Sequence, residues 1–187
     1  MNTKPLKTCD ILLYKGRDFN SRLIQWGTKS FYSHIAVVVH SGMHLGIESN
    51  VGHQAGVRAF DLRKLDRGEI DTFRVKSQYV YESHKAVSYL VAHLGAKYDW
   101  GGVIVLGAMK VASFLTGFKL LKGFNRFQKA KDYFCSELVY EAFAQAGLDI
   151  VPEIGRAEIT SPGDIANSTV LEKLEIQTTS VLDIKPT

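Results

Sequence analysis

The apolar run Ile35-Ala36-Val37-Val38-Val39 constrains the fold more than any other part of the chain. Its β-branched residues favour a strand, and the run is too short for a typical buried helix. No polar residue interrupts it, so we predict a strand buried in the core. Ser33 and His34 stand directly before this strand, so a titratable imidazole marks its start.

The segments around this run predict an antiparallel sheet in the first half of the chain. Ser41, Gly42 and Met43 are a turn candidate, after which the chain would return as a second strand. Glycines punctuate residues 52–56, and residues 64–68 form a charged turn. We predict a small sheet or open barrel with strands at residues 11–14, 35–39, 44–50, 57–62 and 70–75, and a helix at residues 18–29.

The second half of the chain changes to helical periodicity. Apolar residues between positions 80 and 94 recur at helical spacing and stop at Gly95, and a helix beginning near Cys135 stops at Gly147. A loop at residues 151–163 precedes a predicted helix at 164–171 and a predicted strand at 174–181. No repeat or linker interrupts the chain, so we predict one α+β domain spanning residues 1–187.

Composition excludes several classes of protein. The chain has 187 residues, of which 45% are hydrophobic and 22% charged, as in ordinary soluble domains. The formal charge of +4 favours anionic surfaces without specifying one. Cys9 and Cys135 lie far apart, which argues against a disulfide scaffold. Residues 1–10 lack an apolar signal segment, so we expect a cytoplasmic protein.

Residues 103–121 are strongly apolar, and a membrane span has to be weighed there. Residues 101–118 are nearly long enough to cross a bilayer, but Lys110 lies in their middle, where a lysine costs about 2.5–3.5 kcal/mol. We therefore predict a buried or substrate-lining helix. Basic residues interleaved with phenylalanines continue to residue 131. We interpret them as a solvated loop, with a patch for anionic lipid as the alternative.

Cys135 stands at the predicted start of a helix. Unpaired backbone N–H groups and the positive end of the helix dipole favour a thiolate there, and the thiolate is the nucleophilic form. The plainer interpretation is a small residue buried at a helix start. On the helix alone the plainer interpretation is favoured, so a nucleophilic role depends on the rest of the chain.

A thiolate nucleophile needs a base, and the base needs an orienting partner. His34 is the candidate base because it stands at the rigid start of the buried strand; a hydrogen-bonded strand-edge histidine is the alternative. A hairpin centred on Gly42 pairs Ala36 with Glu48, which puts His34 and Glu48 diagonally on one face. Glu48 is therefore the candidate orienter, and Asn50 is the fallback. A hairpin centre shifted by half a residue would place His34 and Glu48 on opposite faces.

His40, His44 and His53 could cluster around the hairpin tip. Their spacing matches no common zinc pattern, and no cysteine pair lies near them, so we predict no metal site. We also predict no cofactor. The chain has no phosphate-binding glycine loop and no nucleic-acid motif, so we expect no nucleic-acid partner.

Six short motifs occur in a characteristic order: CDILLY, SHIAVVV, GIES, YDW, YFCSELVYEAF and SPGDIANS. Their order resembles the permuted NlpC/P60 (papain-like) amidase family, typified by YiiX and YaeF. The resemblance covers nearly the whole chain, and SHIAVV and FCSELV are its most specific parts. It implies a circularly permuted papain-like fold. In that fold a small β-barrel, which carries a histidine and a third polar residue, packs against the helix that begins with the cysteine.

The resemblance also implies roles for individual residues. It implies Cys135 as nucleophile, His34 as base and Glu48 as orienter. Tyr98 matches a recurrent tyrosine near the family's site, which implies a substrate-positioning or oxyanion-supporting role. Cys9 departs from the glycine that is usual at its position, and its side chain either fills space at the strand start or narrows the mouth of the site.

The function expected from these residues and from the resemblance is that of a cysteine amidase or peptidase. It would act through a thioester on a small amide- or ester-containing substrate, such as a peptide or an N-acyl compound. The first alternative is a lipid-directed acyl hydrolase or acyltransferase of the lecithin–retinol acyltransferase type, with peripheral attachment to an anionic membrane. The second alternative is a non-catalytic ligand-binding module on the same fold.

Overall fold

A computed structural model of the protein describes residues 5–17, 21–22, 25–26, 30–50, 55–65, 70–97, 135–155 and 160–175. Residues 21, 22, 25 and 26 are helical, as the predicted helix at residues 18–29 requires. The remaining elements are strands β1 (Ile11–Tyr14), β2 (His34–His40), β3 (Leu45–Asn50), β4 (Gly56–Asp61), β5 (Ile70–Val75) and β6 (Leu171–Leu174), helices α1 (Ser83–Ala92), α2 (Cys135–Gln145) and α3 (Pro162–Ala166), and a 3-10 turn at Leu62–Lys64.

The strands form one six-stranded open sheet in the order β4-β3-β2-β1-β5-β6. Every neighbouring pair is antiparallel. The first five strands come from the first half of the chain, and β6 returns from the C-terminal half to pair with β5. The structure is therefore an α+β arrangement in which the predicted antiparallel sheet packs against helices.

The apolar run within β2 is buried on both faces of the sheet, as predicted. Ile35, Val37 and Val39 belong to the main core, together with buried residues of α1 and α2. Ala36 and Val38 belong to a smaller cluster on the opposite face. Because successive strand residues point to opposite faces, an uninterrupted apolar run requires cover on both sides.

The predicted strands agree with the structure except near their ends. β1 and β5 have the predicted bounds, and β2 extends to His34 and His40. His44 lies in the turn with a positive φ of 54°, so β3 begins one residue later than predicted. β4 begins at Gly56 and ends before Leu62, which starts the 3-10 turn.

Helix α1 begins at Ser83 and not at Val80, where the apolar pattern begins. The Val80 side chain is 90% exposed and contributes nothing to the core. The Glu82 N–H donates to the carbonyl of Ala146, just beyond the end of α2, at 2.9 Å. This tertiary bond fixes the entry into α1, and a periodicity pattern carries no information about it.

The C-terminal predictions need correction. Helix α3 spans Pro162–Ala166 and not residues 164–171, because Ser161 and Asp164 form a capping box with proline at the first turn. Gly163 is thus part of the helix and not of the preceding loop. Leu171 begins β6, three residues before the predicted strand, and its partner on β5 is Val75. Pairing with β5 determines where β6 begins.

Several predicted segments lie outside the described residues. They are the turn at residues 98–102, the apolar stretch 103–121, the basic stretch that follows it, and residues 176–181 of the last predicted strand. Among the helices that the structure describes, none is long and apolar enough to span a bilayer.

A buried ion pair joins β1 to β5. Asp10 is 1% exposed, and its two carboxylate oxygens accept from Arg74 Nε at 2.6 Å and from Arg74 Nη2 at 2.7 Å. The Lys7 backbone N–H donates to the same carboxylate at 2.7 Å. Each oxygen of the buried carboxylate therefore has a donor, which is the condition under which a buried charge is tolerated.

We expect the Asp10→Asn substitution to lower the free energy of unfolding by about 3 kcal/mol, because it leaves the partly buried Arg74 without its counter-charge. Urea unfolding followed by circular dichroism measures the loss. Glu82→Gln removes the exposed pair with Lys85 and serves as the matched control, for which we expect no measurable change. Equal losses in the two variants would contradict the structural role assigned to Asp10.

Candidate active site

Cys135 is the first residue of α2, as the sequence predicts. Its side chain is 7% exposed. Gly147 follows the helix with a φ of +84°, the left-handed conformation of a helix C-cap glycine. Helix α2 packs on β2, β3 and α1. The cysteine is thus held at the N-terminus of a helix that is itself fixed against the sheet.

The first turn of α2 is tied to the segment before α3. Ser136 Oγ donates to the carbonyl of Thr160 at 2.6 Å, and both residues are buried. Residue 163 must be glycine because a Cβ there would lie 2.5 Å from the side chain of Ser30. These contacts hold the N-terminus of the cysteine helix, the SPGDIANS motif and the segment leading to β2 close together.

His34 is the first residue of β2, and Glu48 lies on the neighbouring strand β3. Ala36 pairs with Glu48, which is the register predicted for a hairpin centred on Gly42. The His34 and Glu48 side chains therefore share one face of the sheet, and His34 Nε2 lies 2.9 Å from Glu48 Oε2. The pair is mostly shielded, with side-chain exposures of 21% and 7%.

The side chain of Cys135 lies beside the imidazole of His34 and interacts with it. Burial would lower the pKa of His34, but hydrogen bonds and charge from Cys135 and Glu48 outweigh it and hold the pKa well above its ordinary value. The imidazole is therefore cationic at neutral pH. The three predicted site residues form a continuous chain of thiol, imidazole and carboxylate.

Arg58 also binds the Glu48 carboxylate, and it was not among the predicted site residues. Its Nε and Nη2 both donate to Glu48 Oε1, at 2.9 and 2.7 Å. Burial would raise the pKa of Glu48, but His34 and Arg58 outweigh it and lower the pKa. The sequence contains the information needed to predict this contact, because antiparallel pairing of the strands around the loop at residues 52–56 puts Arg58 opposite Glu48.

Tyr14 lies beside the imidazole on the neighbouring strand β1. It pairs with His34 in the sheet, and the centres of the two rings are 5.1 Å apart. Its hydroxyl is buried and finds no hydrogen-bond partner among the described residues. Burial raises the pKa of Tyr14, and the Glu48 carboxylate raises it further, so the phenol stays neutral. Tyr14 ends the CDILLY motif, but the sequence indicated no role for it in the site.

The remaining candidates are placed as follows. Asn50, the fallback orienter, ends β3 and pairs with Gly56, whereas Glu48 is the residue that contacts His34. His40 Nδ1 accepts from the Met43 N–H at 3.1 Å within the turn. Tyr98 and His53 lie outside the described residues. Within the part of the chain that the structure describes, no three His, Cys, Asp or Glu residues are grouped to hold a metal ion.

Cys9 lies in the core, and its backbone adopts a conformation that favours glycine. Its φ is +68°, in the left-handed region that glycine occupies without steric cost. The side chain is 1% exposed, and its Sγ lies 3.6 Å from the carbonyl of Ser83. Burial raises the pKa of the Cys9 thiol to about 11. Cys9 thus fills space beside the start of α1 as a neutral thiol.

Comparison with known proteins supports the fold alone. A scan against protein-family models and a search of curated proteins each found no match. Among solved structures, the protein is similar to the metalloprotein YiiX (DUF1105) from Escherichia coli O157:H7, with a TM-score of 0.65 and 17% sequence identity. The match covers 93% of this chain and 99% of YiiX. The chain therefore has a YiiX-like fold.

We expect the Glu48→Gln substitution to lower the pKa of His34 by roughly 1–3 pH units, because it removes the carboxylate that stabilises the imidazolium. NMR titration of the His34 ring proton measures the change, with the signal assigned by its loss in His34→Gln. Asp61→Asn is the control. It removes a carboxylate at the last residue of β4 and should leave the midpoint of the His34 titration unchanged. An unchanged His34 midpoint in Glu48→Gln would contradict the coupling described above.

Proposed function

We propose that the protein is a cysteine-dependent acyl hydrolase, an amidase or peptidase. The observation that carries the proposal is the contact of the His34 imidazole with the Glu48 carboxylate, beside Cys135 at the start of α2. A nucleophile, a base and an orienting carboxylate in this order form the constellation of thiol hydrolases on several unrelated folds.

We assign the chain by the same reasoning to the permuted NlpC/P60 class of papain-like folds. The histidine strand precedes the cysteine helix in the chain, which is the order that the permutation requires. The packing of α2 against β2 and β3 supports this assignment.

Acylation begins from the imidazolium–thiolate pair of His34 and Cys135. The sulfur attacks the carbonyl carbon of an amide or ester, forming a C–S bond and a tetrahedral oxyanion. The backbone N–H of Cys135, at the N-terminus of α2, supplies one donor to this oxyanion. The intermediate then collapses, the bond to the leaving group breaks, and the His34 imidazolium donates its proton to the departing amine or alkoxide.

Deacylation returns the enzyme to its starting state. Neutral His34 accepts a proton from a water molecule as the water oxygen attacks the thioester carbonyl. The C–S bond breaks, the carboxylic acid product leaves, and the imidazolium–thiolate pair forms again. Glu48 stays ionised throughout because His34 and Arg58 lower its pKa, and its role is to orient the ring and stabilise the imidazolium.

The two cysteines allow a direct test with a thiol-reactive probe. At neutral pH we expect iodoacetamide to alkylate Cys135 and to leave Cys9 unmodified, because burial keeps the Cys9 thiol protonated. Peptide mapping by mass spectrometry identifies the modified residue. The Cys135→Ala variant should abolish labelling of the native protein. Labelling at Cys9 instead of Cys135 would overturn the nucleophile assignment.

The pH dependence of alkylation tests the role of His34. Because the proposed base promotes ionisation of the nucleophile, the wild-type rate should change less between pH 6 and 8 than the rate of His34→Gln. In His34→Gln the rate should rise about tenfold per pH unit below about pH 8.5, as for an ordinary thiol, and be roughly 100-fold lower than wild type at pH 6. Parallel profiles for the two proteins would contradict the ion pair.

The acyl-transfer step itself is tested with p-nitrophenyl acetate as a small activated ester. We expect a burst of nitrophenol and a mass increase of one acetyl group at Cys135 in wild type, with neither in Cys135→Ala. Reactive alkylation without any acyl adduct would favour the non-catalytic binding module over the hydrolase.

A further inference from the structure

A basic cleft with exposed aromatic side chains lies at the end of β1, next to the candidate site in sequence. Its volume is about 500 Å³. Lys15 follows Tyr14 directly, and Tyr32 stands two residues before His34. The residues that line the cleft include Lys15, Arg17, Arg22, Gln25, Asp71 and Lys173.

The cleft is strongly cationic. Among the described residues that line it, four basic residues, Lys15, Arg17, Arg22 and Lys173, outnumber one acidic residue, Asp71, by three. An excess of this size in a concave site attracts anions, because the surrounding protein screens charge less than open water does.

One carboxylate organises the floor of the cleft. Asp71 Oδ2 lies 2.7 Å from Lys15 Nζ and 2.8 Å from Lys173 Nζ, and accepts from the Tyr32 hydroxyl at 2.6 Å. Burial raises the pKa of Asp71, but its hydrogen bonds with Lys15, Lys173 and Tyr32 outweigh this and lower it to about 2. The two ammonium groups are therefore held in place by a charge that persists across the physiological pH range.

The walls are also held together. The Gln25 side-chain amide donates to the carbonyl of Gly16 and to the carbonyl of Phe31, both at 2.9 Å. This single amide joins the segment after β1 to the segment before β2. The cations are thus presented by a cross-linked frame and not by independent surface loops.

One large apolar side chain that lines the cleft, and one that follows a lining residue in sequence, have most of their surface in water. Phe31, which lines it, is 84% exposed, and Trp26, next to Gln25, is 69% exposed. Exposure of a Phe and a Trp beside a cationic site costs free energy in water, and it is the arrangement of proteins that bind an anionic bilayer. Trp side chains prefer the headgroup layer, and basic side chains bind its phosphates.

We infer that this cleft docks the protein onto a membrane surface by binding the anionic phosphodiester headgroup of a phospholipid. Arg17, Arg22 and the two lysines contact the headgroup, while Trp26 and Phe31 enter the interfacial layer. The inference goes beyond the proposed hydrolase, since it requires neither Cys135 nor a particular substrate.

Co-sedimentation of the full chain with vesicles tests the inference. We expect binding to vesicles of phosphatidylglycerol and phosphatidylcholine in equal amounts, and no binding to pure phosphatidylcholine. Arg17→Gln/Arg22→Gln should weaken binding about thirty-fold, since each basic side chain near an anionic surface contributes roughly a factor of five. All substituted residues are exposed, so their loss should leave thermal unfolding unchanged.

Matched controls separate the cleft from overall charge and overall hydrophobicity. Lys64→Gln/Lys97→Gln removes the same charge from exposed positions that do not line the cleft and should weaken binding much less. Trp26→Ala/Phe31→Ala should weaken binding strongly, whereas Met43→Ala, at another exposed apolar residue, should not. Equal losses in the two charge pairs, or no loss in Arg17→Gln/Arg22→Gln, would overturn the inference.

A soluble headgroup distinguishes a membrane from a free anion. Isothermal titration with glycerol phosphate should show at most weak binding. Saturable binding of glycerol phosphate that is the same in wild type and in Trp26→Ala/Phe31→Ala would overturn membrane docking. The cleft would then be a small-anion site. Iodoacetamide labelling of Cys135 in Arg17→Gln/Arg22→Gln should match wild type, so failure of the docking inference and failure of the proposed hydrolase can be told apart.

Discussion

The 2.9 Å contact between His34 Nε2 and Glu48 Oε2 depends on the register of β2 against β3, and the rest of the candidate site is arranged around it. Strand side chains alternate between faces, so a slip of one residue would carry Glu48 away from His34 and bury a carboxylate among apolar residues. The uninterrupted apolar run of β2 resists such a slip only weakly, because both of its faces are buried. The turn at Ser41–His44 and the pairing of Glu48 with Arg58 on β4 therefore matter for the register.

Charge is distributed so that each buried group of the site has a partner. Glu48 has two Arg58 donors on one oxygen and the His34 imidazole at the other, and the imidazole also interacts with Cys135. Asp10 and Arg74 repeat the arrangement on the far side of β1, where they connect β1 to β5. Tyr14 is the exception, since its buried hydroxyl has no partner among the described residues. A polar chain of this kind is stable as a whole, and losing one member leaves a buried charge or donor uncompensated.

The two proposals rest on different parts of the molecule. The hydrolase rests on the polar chain between α2, β2 and β3, whereas membrane docking rests on the cationic cleft at the end of β1. The cleft residues Lys15 and Tyr32 are near neighbours in sequence of Tyr14 and His34, so a bound membrane would lie beside the site. In that arrangement an acyl substrate could come from the bilayer, which would give weight to the lipid-directed alternative among the functions that the sequence suggests.

Local pattern by itself determined the buried strand at residues 35–39 and the helix that begins at Cys135 and ends before Gly147. It also predicted the hairpin at Gly42 but left two registers open, and the structure selected the one that brings His34 and Glu48 together. These features depend on side-chain periodicity and turn position, which residues close together in the chain determine. Only the tertiary structure decided the start of α1, the place of β6, the contact of Cys135 with His34, and the role of Tyr14. Each of these depends on how segments far apart in the chain pack together, and the sequence pattern of one segment does not report the position of another. The cationic cleft belongs to the same group, since its residues come from four separate segments whose charges meet only in the folded protein.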